Sequence, residues 1–234
     1  MEDIFMGCRG LIDFRLSCRE EYESKVVSRE TVLDIGGRNY QSKSRRRIEL
    51  LRENKNNKVV STDIFPDYQP DIVDDICHTK LAEGSFDAVY CDAILEHVAE
   101  YWLAIDNIHK ILKPGGEAFI YVPFFFPVHD RTDFHRFTFS EVARMLKQFP
   151  TVKIMVPGKE SGFGDTLWLV ITFGTIAKLP KIHSFLSRLT NSLLKLLLTI
   201  VYRTKARRSQ SLADFLFYYI YLYFNHGFCA YVRK

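Results

Sequence analysis

The stretch TVLDIGG, residues 31–37, decides the fold of this chain. Its apolar residues suit a β-strand that is covered on both faces, as in a parallel sheet. Asp34 and the glycine pair Gly36 and Gly37 come at the carboxyl end of that strand, which is where open α/β sheets bind their ligands. The stretch therefore predicts the first strand of an α/β sheet and the start of a nucleoside-binding site.

The residues that follow this strand narrow the kind of ligand. A turn that binds a pyrophosphate has the pattern G-x-G-x-x-G, but Arg38 and residues 39–41 supply no further glycine. A second apolar run ends in Asp63, about 29 residues after Asp34, and a carboxylate there can accept hydrogen bonds from both ribose hydroxyls. These features favour a nucleoside ligand without phosphates, of which S-adenosylmethionine is the common example.

Short apolar strands alternate with helical segments downstream. Further strands are predicted at residues 71–76, 88–91, 118–122 and 152–156. One helix is predicted from an apolar stripe at three- and four-residue spacing, formed by Val98, Trp102, Ile105, Ile108 and Leu112. KPGG at 113–116 ends it, and a helix at about 139–149 begins with a capping box of Thr138 and Glu141. The alternation predicts a doubly wound parallel sheet.

Five motifs in this order resemble those of class I S-adenosylmethionine-dependent methyltransferases. They are VLDIGG (32–37), STDIF (61–65), IVDDI (72–76), FDAVYCDAILEHV (86–98) and LKPGG (112–116). The resemblance covers roughly residues 31–158 and implies a seven-stranded, mostly parallel, Rossmann-like sheet. It also implies an antiparallel last strand, here residues 227–234, beside the sixth. A less specific resemblance, carried by residues 123–138, is to a subgroup often associated with glycan-modifying pathways.

The family resemblance implies a role for each residue at the methionine end of the cofactor. Asp34 would hold the methionine amino group through water, and the backbone of Gly36 and Gly37 would lie against the cofactor. Asp92, just past the fourth strand, would face the methionine end. The family motif usually reads D-x-G-x-G, and this chain has Arg38 in place of its last glycine. Arg38 either points away, reaches the cofactor carboxylate or impairs binding.

The same resemblance implies roles at the nucleoside end. Asp63 would bind the ribose hydroxyls and Asp75 the adenine amino group, with the amide of Ile76 nearby. Each acid also has a purely structural alternative, since Asp74 and Asp75 suit a cap of the following turn and Asp92 suits a helix cap. Their shared position at strand carboxyl ends favours the binding roles.

The loop after the fifth strand is the richest source of titratable groups. We expect it to lie over the methyl group, and histidine has a suitable pKa for proton transfer at neutral pH. His129 is the first candidate for a catalytic base, His135 the second, and Asp133 the partner that orients the imidazole. The alternative is that His135 and Arg136 pair with acids only to hold the loop in place.

No metal ion is predicted. Glu96 and His97 are adjacent, and adjacent residues of a regular helix cannot both face one ion. The five cysteines contain no C-x-x-C pair and are odd in number, which argues against a zinc site or a disulfide framework and favours a reducing compartment. With no signal peptide evident, a cytoplasmic location is expected.

The domain organisation follows from the positions of these motifs. Residues 1–30 are expected to form an N-terminal helical cover, and residues 31–234 the methyltransferase domain, including a helical insertion at 160–226. From residue 178 to the end there are ten Lys and Arg residues against the single Asp214. No apolar run reaches the roughly 18 uncharged residues that a membrane span needs. The insertion therefore suits helices lying in a membrane interface, or, alternatively, a cover for the sheet or a homodimer surface.

The sequence leaves the methyl acceptor open. A basic, apolar surface beside the site favours a hydroxyl of a sugar or lipid-linked glycan. A small-molecule or protein methyltransferase is one alternative, and a noncatalytic membrane-associated adaptor of the same fold is another. A nucleic-acid partner is not expected, because Lys43 and residues 45–47 suit the solvated face of a helix.

Overall fold

This computed structural model describes residues 18–37, 51, 57–157, 163–172, 175–205 and 225–234. Most of the predicted N-terminal cover, Arg38, the basic run at 43–47 and the stretch 206–224 lie outside the described residues.

Seven strands in the described residues form one sheet. They are β1 (Thr31–Ile35), β2 (Lys58–Asp63), β3 (Ile72–Val73), β4 (Phe86–Asp92), β5 (Leu112–Pro123), β6 (Thr151–Met155) and β7 (Gly227–Arg233). Their order is β3-β2-β1-β4-β5-β7-β6. β7 runs antiparallel to both β5 and β6. The other neighbouring strands, from β3 through β2, β1 and β4 to β5, pair in parallel. The predicted doubly wound, mostly parallel sheet with an antiparallel last strand is confirmed.

Among the described helices, α1 precedes β1 and the others lie between later strands in chain order. They are α1 (Cys18–Val27), α2 (Tyr101–Ile111), α3 (Phe139–Met145), α4 (Phe163–Ile171) and α5 (Pro180–Lys205). Short 3₁₀ turns occur at Pro66–Tyr68, Ile76–His78, Leu95–His97 and Thr175–Lys178. None of the helices in the described part of the chain is long and apolar enough to cross a bilayer.

Both faces of the sheet are covered, as the sequence of β1 predicts. Alternate residues of β4 point to opposite faces, so that Val89 packs in one apolar cluster with α2 and α3, while Tyr90 packs in the other with α1. Val32, Leu33 and Ile35 of β1 are all buried.

The predicted buried stripe of α2 is partly wrong. α2 begins at Tyr101 because residues 95–97 form a 3₁₀ turn, and it ends at Ile111, where β5 starts. Ile105 and Ile108 are buried as predicted, and Leu112 is buried as the first residue of β5. The helix also buries Tyr101, Ala104 and Ile111. Trp102 is 49% exposed.

α4 and α5 pack against each other through polar contacts. The indole of Trp168 donates to Thr190 Oγ1 at 3.0 Å, and the amide of Gly164 donates to Asn191 Oδ1 at 2.8 Å. A Cβ on Gly164 would lie 2.5 Å from the carbonyl oxygen of Ser187, so only glycine allows this close approach. Both helices follow β6 and precede β7, which is where the helical insertion is predicted.

Candidate functional site

The turn after β1 has room only for glycine. Gly36 has φ +69°, a left-handed conformation that favours glycine. The amide of Gly37 donates to the carbonyl of Thr62 at 3.1 Å, and a Cβ on Gly37 would lie 2.6 Å from Asp34 Oδ2. Asp34 itself is buried. The backbone of Gly36 and Gly37 thus packs tightly against the end of β2, next to the Asp34 carboxylate; we call residues 36–37 the glycine turn.

Asp63 ends the neighbouring strand. Its Oδ1 accepts a hydrogen bond from the amide of Phe65 at 2.9 Å, and its side chain is partly exposed. Because Ile35 and Thr62 are in register across β1 and β2, Asp63 lies directly beside the glycine turn. The structure therefore brings Asp34, the glycine pair and Asp63 to one edge of the sheet.

Asp75 caps the 3₁₀ turn at Ile76–His78, so the structural alternative is confirmed for this residue. Its Oδ1 accepts from the amide of Cys77 at 2.9 Å, and its Oδ2 lies 3.1 Å from Nδ1 of His78. Burial acts to raise the pKa of Asp75, but these hydrogen bonds leave the pKa lowered, so the residue is a carboxylate at neutral pH. Ile76 is buried, with its carbonyl held by Asn107 at 2.8 Å. The adenine role of Asp75 and Ile76 stays a prediction.

Asp92 is oriented by groups that the sequence analysis missed. The Tyr90 hydroxyl lies 3.2 Å from Asp92 Oδ2 and 2.7 Å from Glu23 Oε1. Arg19 lies 3.4 Å from Glu23 Oε1 and 3.9 Å from Asp92 Oδ1. Burial and the two carboxylates raise the pKa of Tyr90, so it stays a neutral donor. The spacing of Arg19 and Glu23 on one helix face was visible in the sequence, but its link to β4 was not.

This network continues toward the helical insertion. The guanidinium of Arg19 lies 5.4 Å from the centre of the Tyr121 ring, and the Tyr121 hydroxyl lies 3.5 Å from His226. His226 and His183 approach the two oxygens of Asp165 at 3.4 and 3.0 Å. Burial, together with the charges of Arg19 and His183, lowers the pKa of His226 to about 4, so this imidazole is neutral at physiological pH.

In the loop after β5, the structure brings the predicted His129 and Asp133 together. His129 Nδ1 lies 3.1 Å from Asp133 Oδ2, and the same oxygen accepts from the His129 amide at 3.1 Å. Arg136 binds both oxygens of Asp133, with Nη2 at 2.6 Å from Oδ2. Hydrogen bonds from Arg136, against a smaller effect of burial, lower the pKa of Asp133 to about 2. Asp133 is therefore a fixed carboxylate that can orient His129.

His135 has different contacts from His129. Its Nε2 lies 3.1 Å from the carbonyl oxygen of Ala99, and its ring packs edge-on against Tyr101 at 5.0 Å between centroids. Arg136 also donates to the carbonyls of Phe126 and Pro127 at 2.9 and 3.0 Å. These contacts favour the alternative in which His135 and Arg136 hold the loop in place. The catalytic role of His135 stays a prediction.

Glu96 and His97 lie on the 3₁₀ turn that follows β4, so the assumption of a regular helix at these residues is wrong. Glu96 is 1% exposed, and its Oε2 has no hydrogen-bond partner among the described residues. Burial raises the pKa of Glu96 to about 7. The backbone carbonyl of Glu96 accepts from the amide of Phe134 at 2.8 Å, which ties the turn to the loop that carries His129.

Comparison with known proteins bears on the fold and on the family. Residues 42–120 match the family described as "Methyltransferase domain". No curated protein matches the sequence. A SAM-dependent methyltransferase from Archaeoglobus fulgidus has a similar structure, with a TM-score of 0.53 and 15% identity over 92% of this chain and 94% of that one.

The [4+2]-cyclase SpnF is also similar, with a TM-score of 0.51 and 15% identity over 93% of this chain and 80% of the other. At these identities the likeness shows a shared fold, and a cyclase on that fold shows that the fold alone does not determine the reaction. The family match over residues 42–120 supports methyl transfer as the reaction class, with S-adenosylmethionine as the cofactor.

Proposed function

We propose that this chain transfers a methyl group from S-adenosylmethionine to a hydroxyl of a sugar or a lipid-linked glycan. One observation supports S-adenosylmethionine as the cofactor. The acids Asp34, Asp63 and Asp92 and the glycine turn at residues 36–37 lie together at the carboxyl ends of β1, β2 and β4. A Cβ at Gly37 would lie 2.6 Å from Asp34 Oδ2. Because the turn has no side chains, a ligand can come close to its backbone.

The residues present fit this cofactor along its length. Asp34 and Asp92 offer carboxylates to the methionine amino group, and Asp63 offers one to the ribose hydroxyls. When bound, the cofactor supplies an electrophilic methyl group on a sulfonium. Methyl transfer is an in-line displacement, so the protein mainly has to align the acceptor oxygen and exclude water. In this proposal His129, which lies 3.1 Å from Asp133, accepts the hydroxyl proton.

Asp63→Ala is expected to weaken binding of S-adenosylhomocysteine about 10- to 100-fold. The reason is that a charged hydrogen-bond acceptor contributes about 1.5 to 3 kcal/mol. Isothermal titration calorimetry measures the effect, and Asp67→Ala, an exposed acid in the next turn, is the matched control. Equal affinities of parent and Asp63→Ala would contradict the ribose assignment, and a parent that does not bind would favour the noncatalytic adaptor.

The proposal of a lipid-linked acceptor is supported by the outer face of α5. Apolar side chains recur along this face at three- and four-residue spacing, and each is about half exposed or more. They are Ile182, Phe185, Leu189, Leu193, Leu196, Leu197 and Ile200. α5 turns polar residues such as Thr190 and Asn191 toward α4. An apolar outer face with exposed Lys181 and Arg188 suits a helix that lies in a membrane interface.

We therefore expect the protein to sediment partly with anionic phospholipid vesicles and to be released in part by salt, since screening weakens only the electrostatic contribution. Replacing Leu193, Leu196 and Leu197 together with serine should lower vesicle binding more than tenfold, because each Leu side chain that is buried contributes about 1.5 to 3 kcal/mol. Trp102→Ser, an equally exposed apolar residue of α2, is the control. A parent that stays unbound but dimerises through this face would contradict the membrane proposal.

The acceptor class is tested by incubating the protein with radiolabelled S-adenosylmethionine and cell extract. We expect label in the lipid-soluble or glycan fraction. Label confined to the protein fraction, or to small polar molecules, would favour the protein or small-molecule alternative.

A further inference from the structure

We propose that Glu96, His97 and His129 form a binding site for one divalent transition-metal ion, with a coordination position left open for the acceptor oxygen. The role of the ion in activating the acceptor rests on the proposed function; the ion site itself does not. This proposal departs from the prediction that the chain holds no metal.

The three ligand atoms already converge. One ligand atom from each residue lies within 4.8 Å of the other two, and Glu96 Oε1 is 3.9 Å from His97 Nε2. A tetrahedral ion with bonds near 2.1 Å holds its ligands about 3.4 Å apart. Small side-chain rotations are therefore enough to close the group around an ion. The approach of two adjacent residues is seen directly, because one ligand atom of Glu96 and one of His97 lie within reach of a common point although the residues are neighbours in the chain.

Glu96 supplies the observation that points to a ligand. Its side chain is 1% exposed, and Oε2 has no hydrogen-bond partner among the described residues. A buried carboxylate without a partner is costly, and the nearby charges of Asp133 and Asp92 add to that cost, against an opposing effect of Arg136. A cation bound by either oxygen of this carboxylate would compensate its buried charge.

Both imidazoles are held at the nitrogen that would not bind the ion. His97 Nδ1 lies 3.0 Å from the carbonyl oxygen of Thr132, so its proton belongs there and Nε2 presents a lone pair. His129 Nδ1 lies 3.1 Å from Asp133 Oδ2, which Arg136 fixes in place. A second partner that orients the remaining ring nitrogen is typical of metal-binding histidines.

The donor set indicates the class of ion and its chemistry. Two imidazoles and one carboxylate suit Zn²⁺ and other first-row divalent ions, and three protein ligands leave room for an exogenous oxygen. With the ion bound, His129 is a ligand and no longer the base, because its free nitrogen has only one lone pair. A hydroxyl bound to such an ion loses its proton to solvent at a lower pH than a free hydroxyl. The resulting oxygen forms a bond to the methyl carbon while the carbon–sulfur bond breaks, which yields the methyl ether and S-adenosylhomocysteine. An ion here therefore favours an oxygen acceptor.

The test uses the full chain, stripped with a chelator and titrated with Zn²⁺ by calorimetry and with Co²⁺ by visible absorption. We expect one equivalent of each ion to bind. Glu96→Gln and His129→Ala should each weaken binding about tenfold or more, while His135→Ala, a histidine in the same loop, should bind as the parent does. Thermal melting of each metal-free variant checks the fold, and His97→Ala serves in place of Glu96→Gln where that variant folds poorly.

S-adenosylhomocysteine binding is measured on the same samples. This distinguishes a failure of the metal site from a failure of the proposed methyl-transfer function. A parent that binds S-adenosylhomocysteine but neither ion would overturn the metal site alone. Ion binding that is unchanged in all the ligand variants would also overturn it, because the ion would lie elsewhere. Ion binding by a protein without affinity for S-adenosylhomocysteine would keep the metal site and contradict the proposed function.

Discussion

His129→Ala is expected to lower the rate of methyl transfer about 10²- to 10⁴-fold, the usual range for losing a positioned acid–base group. His129 is held by Asp133 at 3.1 Å and packs against the His97 ring at 5.1 Å between centroids, so it lies beside Glu96 at the carboxyl end of β4. This loss is expected whether His129 accepts the proton itself or binds the proposed ion. Turnover of labelled S-adenosylmethionine measures it, and the affinity for S-adenosylhomocysteine should stay nearly unchanged.

His135→Ala is the matched comparison for this experiment. Because His135 Nε2 is bonded to the carbonyl of Ala99, we expect a smaller loss than in His129→Ala. Turnover that is unchanged in both variants would indicate catalysis by alignment alone. A larger loss in His135→Ala would reverse the ranking of the two histidines.

Glu23→Ala is expected to lower the free energy of unfolding by about 3 to 5 kcal/mol, as measured by urea or thermal denaturation. Glu23 is fully buried and accepts the hydroxyl of Tyr90 at 2.7 Å while pairing with Arg19. Removing one member of a buried ion pair leaves the other charge poorly compensated. The variant should also weaken S-adenosylhomocysteine binding, because Tyr90 and Arg19 orient Asp92.

Glu20→Ala, an exposed acid of the same helix, is the control and should change stability by about 0.5 kcal/mol or less. A Glu23→Ala variant as stable as this control would show that the buried pair does not stabilise the fold.

The sequence was sufficient for the sheet, because the signals that specify a strand are local. The apolar run at β1 is followed by a turn that only glycine fits, and the strands occur where the apolar runs predict them, although β3 covers only Ile72–Val73 of the predicted 71–76. The cap at Thr138 is also confirmed, since its side chain accepts from the amide of Glu141 at 3.3 Å. In each case the residues that determine the feature are neighbours in the chain. The antiparallel last strand beside the sixth is implied by the family resemblance and not by local patterns.

Sequence patterns failed where a regular helix was assumed. A 3₁₀ turn occupies Leu95–His97, and α2 starts only at Tyr101. Trp102 is exposed, while Glu96 and His97 approach one point. Helical periodicity describes one conformation only. A short turn between β4 and α2 adopts another, because its backbone is held by the Phe134 amide from a distant loop.

The sequence by itself determined the strands, the glycine turn and the acids at the strand ends, because these depend on hydrophobic alternation and on backbone conformations that few residues allow. Only the tertiary structure decided which distant side chains meet. Tyr90 meets Glu23 across 67 residues of sequence, and His97 meets the Thr132 carbonyl across 35. Such pairs follow from strand order and helix docking, and the burial that makes Glu96 unusual exists only once β4, α2 and the loop after β5 have packed together.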